Sequence, residues 1–317
     1  MKLGLLTTAN INRALLGVRE GASWEIAAVG SRDRGRAEAY AREHGIGRAH
    51  GSYGELLGDP ELDAVYIALP NALHHEWTMR ALAAGKHVLC EKPYTRRPEQ
   101  VDEAFDVAEA AGLVLMEAFM WRHNEQTGLV RELLPRIGEL QTIRATFSFR
   151  LTREADVRLD LELGGGSLLD VGCYCISAAR LLAGREPDRV YGEAVRGPTG
   201  VDRRFTGTLR FGDALTEFSC GFDADHRSLE AIGSEGTLVV PDPWFASDGL
   251  VLLNGEEHRV EPTSSYRLEL DNLAAAIRGD AEPLLGRAES LGQARALDAL
   301  LRSAETGAPV TIAASAG

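Results

Sequence analysis

In residues 1–121, short apolar runs alternate with stretches of helical spacing, and that alternation limits the fold more than any other feature of the chain. The runs at 2–6, 25–30, 64–69, 87–90 and 113–117 are the kind buried on both faces of a sheet. Helical stretches fall between them at 10–20, 34–44, 72–84 and 99–111. Asp33 is placed to cap the second of these, and Gly45 and Gly85 stand where helix C-caps belong. Strands alternating with helices predict a parallel, doubly wound α/β sheet, with residues 1–121 as one domain.

After Trp121 the rhythm changes. A helix at 125–134 leads to a run at 142–150 in which Ile143, Ala145, Phe147 and Phe149 alternate with polar residues. Further alternating runs follow at 189–194, 205–211, 214–222, 228–232 and 237–240, as in antiparallel strands with one covered face. Helices are expected at 167–182, 266–278 and 288–305. Residues 122–317 therefore read as an α+β domain with a mostly antiparallel open sheet. Its outer face is expected to be apolar enough to need a second subunit, giving a homodimer or homotetramer.

Composition narrows the class. A chain of 317 residues holds roughly two domains at ~150 residues each. With 44% apolar and 26% charged residues it is neither fibrous nor disordered. A net charge of −13 argues against nucleic acid or an anionic membrane as partner. No apolar run approaches the ~18–20 residues of a membrane span, and the first residues lack a signal-peptide pattern. Cys90, Cys173, Cys175 and Cys220 form neither CxxC pairs nor a disulfide framework. The expectation is a soluble, cytoplasmic protein without a metal.

Chemistry is expected at the carboxyl edge of the parallel sheet, where open α/β folds bind ligands. The first strand enters Thr7-Thr8-Ala9-Asn10-Ile11-Asn12 and then a helix. The glycines of G-x-G-x-x-G are replaced by Thr7, Ala9 and Asn12, but the turn is small and polar; an ordinary βα turn would look the same. The second strand ends at Ser31 and Arg32, where an NAD site carries an acid and an NADP site a cation; Arg32 could also be a solvated surface residue. Leu69-Pro70-Asn71 closes another strand; Asn71 serves there either as helix cap or as ligand contact, and His74 one turn on is equally open. In Glu91-Lys92-Pro93, Pro93 holds Lys92 extended at a strand tip, where its ammonium could donate to a substrate oxygen or simply be solvated. Gly164-Gly165-Gly166 opens a helix on which Asp170 and Tyr174 are four apart. They read as a positioning acid and a proton donor, or as a surface Asp and a core Tyr.

Together these segments resemble the Gfo/Idh/MocA oxidoreductases. The resemblance rests on Thr7-Thr8-Ala9-Asn10-Ile11, on Glu91-Lys92-Pro93, on Met116-Glu117-Ala118-Phe119-Met120-Trp121-Arg122, and on Arg158-Leu159-Asp160 through the glycine turn to Tyr174. It covers nearly the whole chain and is nearest the branch of NADP-dependent D-xylose dehydrogenases and trans-dihydrodiol dehydrogenases. One departure is Glu125, which replaces the Pro of an R-x-x-P-Q pattern at residues 122–126.

The resemblance implies hydride transfer between NADP(H), rather than NAD(H), and a sugar-like alcohol or carbonyl. Lys92 would polarise the reacting C–O group, Tyr174 would be the acid/base, and Asp170 would orient the substrate or tune Lys92. Cofactor contacts would come from Thr7, Thr8, Ala9, Asn10, Ile11, Ser31, Arg32, Leu69, Pro70, Asn71, His74, Glu91, Lys92, Trp121 and Arg122. A non-catalytic NADP-sensing protein on the same fold is the alternative from another class, and it would have no need of the Lys92–Asp170–Tyr174 set. A cofactor-retaining glycosidase is a third reading.

Overall fold

A computed structural model describes residues 1–312, and the elements below are those among the described residues. They form two compact units, residues 1–123 with 264–291, and residues 124–263 with 292–312. The segment 264–291 thus packs with the first unit, whereas the sequence pattern assigns it to the second domain.

The first unit is built on six parallel strands in the order β3-β2-β1-β4-β5-β6. They are β1 (Lys2–Leu5), β2 (Glu25–Gly30), β3 (Arg48–His50), β4 (Ala64–Ile67), β5 (His87–Glu91) and β6 (Leu115–Ala118). Strand β1 pairs with both β2 and β4, so chain direction switches sides there and leaves a crevice at the carboxyl edge. Every residue of β4 and β6 is buried, as the unbroken apolar runs require.

The helices of this unit are α1 (Asn12–Leu16), α2 (Arg34–His44), α3 (Tyr53–Leu57), α4 (His74–Ala83) and α5 (Pro98–Ala110), each following a strand. Asp33 caps α2 by accepting the Arg36 N–H at 2.7 Å, and Gly45 ends it at φ 64°. Helix α1 is shorter than the expected 10–20. Strand β3 and helix α3, of 3 and 5 residues, carry too little periodicity to be read from sequence.

Helices numbered in chain order continue with α6 (Glu125–Leu133) and α7 (Cys173–Ala183) of the second unit, then α8 (Ser265–Arg278) of the first, and α9 (Arg287–Thr306), whose residues are divided between the two. The second unit's nine-stranded sheet runs β14-β13-β12-β11-β7-β10-β9-β8-β15. Its strands are β7 (Leu140–Ser148), β8 (Arg189–Arg196), β9 (Asp202–Phe211), β10 (Ala214–Gly221), β11 (His226–Gly233), β12 (Thr237–Val240), β13 (Leu250–Leu253), β14 (Glu256–Arg259) and β15 (Val310–Thr311). All neighbours are antiparallel except β7 and β10. Helix α7 covers one face, over Ile143, Ala145, Phe147 and Phe218.

The opposite face is not apolar, contrary to the sequence expectation. Arg144 of β7 lies between Glu230 of β11 (3.2 Å) and Glu217 of β10 (3.5 Å), and Thr206, Thr208, Glu193 and Arg210 extend a polar surface across the middle strands. Leu215 and Val195 are its exposed large apolar side chains, and half-buried Ile232, Val239, Leu250 and Leu252 lie on the same face towards β13. Period-two alternation reports which face is dry, and it says nothing about how polar the other one must be.

Candidate functional site

The expected site residues divide between the two units, and each set is held by its own unit. In the first, the turn after β1 is closed by Asn12, whose amide donates to the Thr7 carbonyl at 2.6 Å; Asn12 is fully buried and Thr8 nearly so. At the end of β2, Ser31 is buried and its hydroxyl accepts the Asp33 N–H (3.3 Å), while Arg32 is exposed. Because Asp33 spends its carboxylate on the α2 cap, no acid is left at this strand end for a ribose hydroxyl. A cation and a hydroxyl remain, which fit a phosphate-bearing ribose.

Past β4, Asn71 opens a 3₁₀ turn, Asn71–Leu73, that leads directly into α4. His74 takes a different place from the one expected. Its ring is fully buried, Nδ1 lies 2.9 Å from the Pro93 carbonyl, and Nε2 lies 2.8 Å from the Leu69 carbonyl. Burial lowers its proton affinity against the pull of these main-chain acceptors. Both nitrogens thus face main-chain carbonyls, the one that carries the proton donating, and the side chain lies between two loop tips instead of presenting a group to a cofactor or a proton to a substrate.

Glu91 ends β5 and accepts the Tyr66 hydroxyl on Oε1 and the Lys92 N–H on Oε2 (3.2 Å). Lys92 is half-buried and joined to Pro93 by a cis peptide bond. Beyond it, the Tyr94 N–H donates to Glu117 at 2.9 Å and the Tyr94 hydroxyl lies 3.0 Å from His75 Nδ1. The Lys92 main chain is therefore fixed on both sides. After β6, Trp121 and Arg122 are buried; Arg122 lies over the Trp121 ring and pairs with Glu289 at 3.1 Å. Next to it, burial and the Arg122 charge push His123 down to about 4.

The second unit holds Asp170 and Tyr174. The glycine turn is compact: Gly165 N–H donates to Asp160 O (2.8 Å) and Gly166 N–H to Arg158 O (2.9 Å), and a Cβ on Gly165 would stand 2.5 Å from the Arg158 carbonyl oxygen. Asp202 of β9 fastens the other side, accepting Ser167 Oγ (2.8 Å) and the Leu168 N–H (2.7 Å). The expected single helix then proves to be two pieces, a π-turn at Leu168–Gly172 followed by α7. Asp170 lies in the π-turn, a feature concentrated at functional positions.

Asp170 Oδ2 accepts Arg158 Nε at 2.7 Å. Burial works against the Arg158 charge, but Asp170 and Asp156 outweigh it and raise its pKa. Tyr174 is 7% exposed, with Phe147 (5.0 Å) and Trp244 (5.7 Å) edge-on to its ring; Phe245, 45% exposed, extends this aromatic wall. Asp202, Trp244 and Tyr66 have no place among the sequence candidates because each acts from a distant segment, and Arg158 stands there only as part of a motif, without a role. The R-L-D stretch before the glycines was the one signal that could have pointed to Arg158.

Residues 7–119 match the family model described as "Oxidoreductase family, NAD-binding Rossmann fold", and residues 130–239 match the GFO/IDH/MocA C-terminal domain. The chain is 40% identical to D-xylose 1-dehydrogenase (NADP(+)) 2 of Haloferax volcanii, covering 98% of this chain and 100% of that protein. It is 32% identical to trans-1,2-dihydrobenzene-1,2-diol dehydrogenase of Xenopus tropicalis over 75% of this chain and 73% of the relative. A 3-ketoreductase from Actinomadura kijaniata, solved with NADP and TDP-benzene, superposes with a TM-score of 0.90 at 30% identity, over 96% of this chain and 97% of that one. Fold, motifs and these alignments agree over both units, and the chain belongs to the Gfo/Idh/MocA oxidoreductase family.

Proposed function

We propose that this chain is an NADP(H)-dependent oxidoreductase acting on a sugar or a related polyhydroxylated alcohol/carbonyl pair. The observation that carries the reading is the built segment from Gly164 to Tyr174. There a carboxylate is charge-balanced by Arg158 and a phenol is walled by aromatic rings, an investment that a non-catalytic sensor does not need.

The cofactor, when bound, supplies or accepts the hydride. The turn at residues 7–11 would hold its diphosphate, Ser31 and Arg32 the 2′-phosphate, and Leu69, Pro70, Asn71, Glu91, Trp121 and Arg122 the remainder. Lys92 donates to the substrate oxygen and favours its negative form. Tyr174 gives that oxygen a proton in reduction and removes it in oxidation. Asp170, tethered to Arg158, orients a neighbouring substrate hydroxyl. His74 is left out of the contact set, on the ground of its buried ring.

The test is a panel of aldoses, inositols, keto-sugars and dihydrodiols with NADP+ and NADPH, followed at the nicotinamide absorbance. Turnover of a sugar supports the reading; NADP(H) binding without turnover of any member favours a sensor. The aromatic wall of Phe147, Trp244 and Phe245 favours a dihydrodiol as second reading, and the same panel decides it. The four cysteines are buried thiols, in keeping with a reducing, cytoplasmic setting.

A further inference from the structure

Three contacts converge on Gly166, at the entry to the π-turn that carries Asp170. Its N–H donates to the Arg158 carbonyl (2.9 Å), and its own carbonyl accepts the Asp170 N–H (3.0 Å). It adopts φ 123°, and a Cβ there would collide with Oδ1 of Asp202. Asp202 opens β9 and is 5% exposed. Its other oxygen, Oδ2, accepts the Ser167 hydroxyl (2.8 Å) and the Leu168 N–H (2.7 Å), and both of these residues are buried. Ser167 stands at the N-cap position of the π-turn but makes no side-chain cap there. Its hydroxyl is given to Asp202, so the cap comes instead from a carboxylate 34 residues away from the N–H it accepts. The far end of the turn is pinned too: a Cβ on Gly172 would stand 2.8 Å from Cys220 Sγ of β10 and 3.0 Å from Leu168 Cδ1.

We propose that Asp202 is a positioning residue: by capping the π-turn from β9 it keeps the extra residue in that turn, and so keeps Asp170 on Arg158. Its consequence for the substrate rests on the reading of Asp170 as the group that orients a substrate hydroxyl. The Cys173 N–H closes the turn in π geometry by bonding the Leu168 carbonyl five residues back. That spacing is rare beside the α form, and survives where the surroundings hold it. Loss of one residue from the turn rotates what precedes it by roughly 100° relative to α7. Asp170 would then leave Arg158 Nε, 2.7 Å away in the native turn, and change its bearing on Tyr174, which stays on α7. Asp202 opposes that rotation because it grips Ser167 and Leu168 at the near end, while Gly172 is fixed at the far end. Both donors meet one oxygen, so the grip needs an acceptor of the right reach, and an amide oxygen can serve in its place.

Two signals that need neither cofactor nor substrate test this: hydrogen exchange of the Leu168 amide, and the Nε–H resonance of Arg158 in 15N-labelled protein, assigned by its loss in Arg158→Lys. Asp202→Ala removes the acceptor; Asp202→Ser, polar but too short to reach, serves if the alanine variant does not fold. Either should speed exchange at Leu168 by about one to two decades, the weight of a bond to a charged group. Either should also move the Arg158 resonance toward its position in Asp170→Asn, and Asp202→Asn should restore both signals. Faster exchange with the Arg158 resonance unmoved would leave Asp202 a cap with no hold on Asp170, and would overturn the proposal; unchanged exchange would do so as well. With aldoses and NADP+, the loss of kcat/KM in Asp202→Ala should vanish once Asp170 is already Asn, and additive losses would count against the proposal with equal force. A native protein that turns over no aldose refutes the reading of Asp170 alone, since the exchange and resonance measurements still decide the clamp.

Discussion

Asp170 is held by a partner twelve residues back, and that pairing sets what substitutions there should do. Arg158 holds the carboxylate by a charge-assisted bond at 2.7 Å, so Asp170→Asn keeps the shape and loses the orienting charge. Tyr174 and Lys92 are assigned to the transfer itself. Tyr174→Phe and Lys92→Ala should each lower kcat by about two to four decades, the usual weight of general acid/base catalysis, and Asp170→Asn by less; NADP(H) dissociation constants should change little. Near-normal turnover of Tyr174→Phe across the pH range would move the proton to another group, and His74 is not available for it. At the other end of the first unit, NADP(H) should bind more tightly than NAD(H), and Arg32→Ala should close that gap by one to two decades, at roughly 1.5–3 kcal/mol for a charge-assisted contact. Titration of both cofactors against native and variant protein checks it; equal dissociation constants in the native protein would refute it. Lys92, Tyr174 and Arg32 are legible as candidates in the sequence because their motifs are contiguous, whereas the pairing of Arg158 with Asp170 is not, because it joins residues 12 apart across a turn.

At the scale of elements, the glycine turn is the piece on which the second unit's site depends. Gly165 meets the carbonyl oxygens of Arg158 and Asp160, and Gly166 adopts φ 123° against Asp202. Main chain cannot be pushed aside as a flexible side chain can. Gly165→Ala should therefore lower stability by about 1–3 kcal/mol in urea unfolding, and should lower kcat beyond what the stability loss explains, by displacing Asp170. Unchanged stability would show that the turn has slack. The sequence pattern located the long helices and most strands here, since periodicity over ten or more residues leaves a strong imprint. The π-turn escaped it because one extra residue in a turn alters hydrogen bonding without altering composition. Strands β13, β14 and β15 escaped it because β13 is apolar throughout, β14 polar throughout and β15 only 2 residues long, so none of them alternates.

For the molecule as a whole, the nine-stranded sheet offers a broad outer face whose ion pairs, Arg144 with Glu217 and Glu230, lie within the chain. We propose that a second copy covers this face, through hydrogen-bonded and ionic contacts in place of the apolar ones that alternation had led us to expect. Light scattering at micromolar concentration should return at least twice the 34.3 kDa of one chain, and the association should weaken as salt screens those contacts. A monomer at low salt would refute it. The sequence by itself determined the fold class, the carboxyl-edge motifs and the family, because each is written in local periodicity or in contiguous residues. Tertiary structure alone decided that residues 264–291 pack with the first unit, that His74 faces inward onto two carbonyls, and that the Glu269 side chain is buried. The reason is physical: burial and pairing are set by which distant segments are brought together, and a linear pattern records a residue's neighbours along the chain but not those across it.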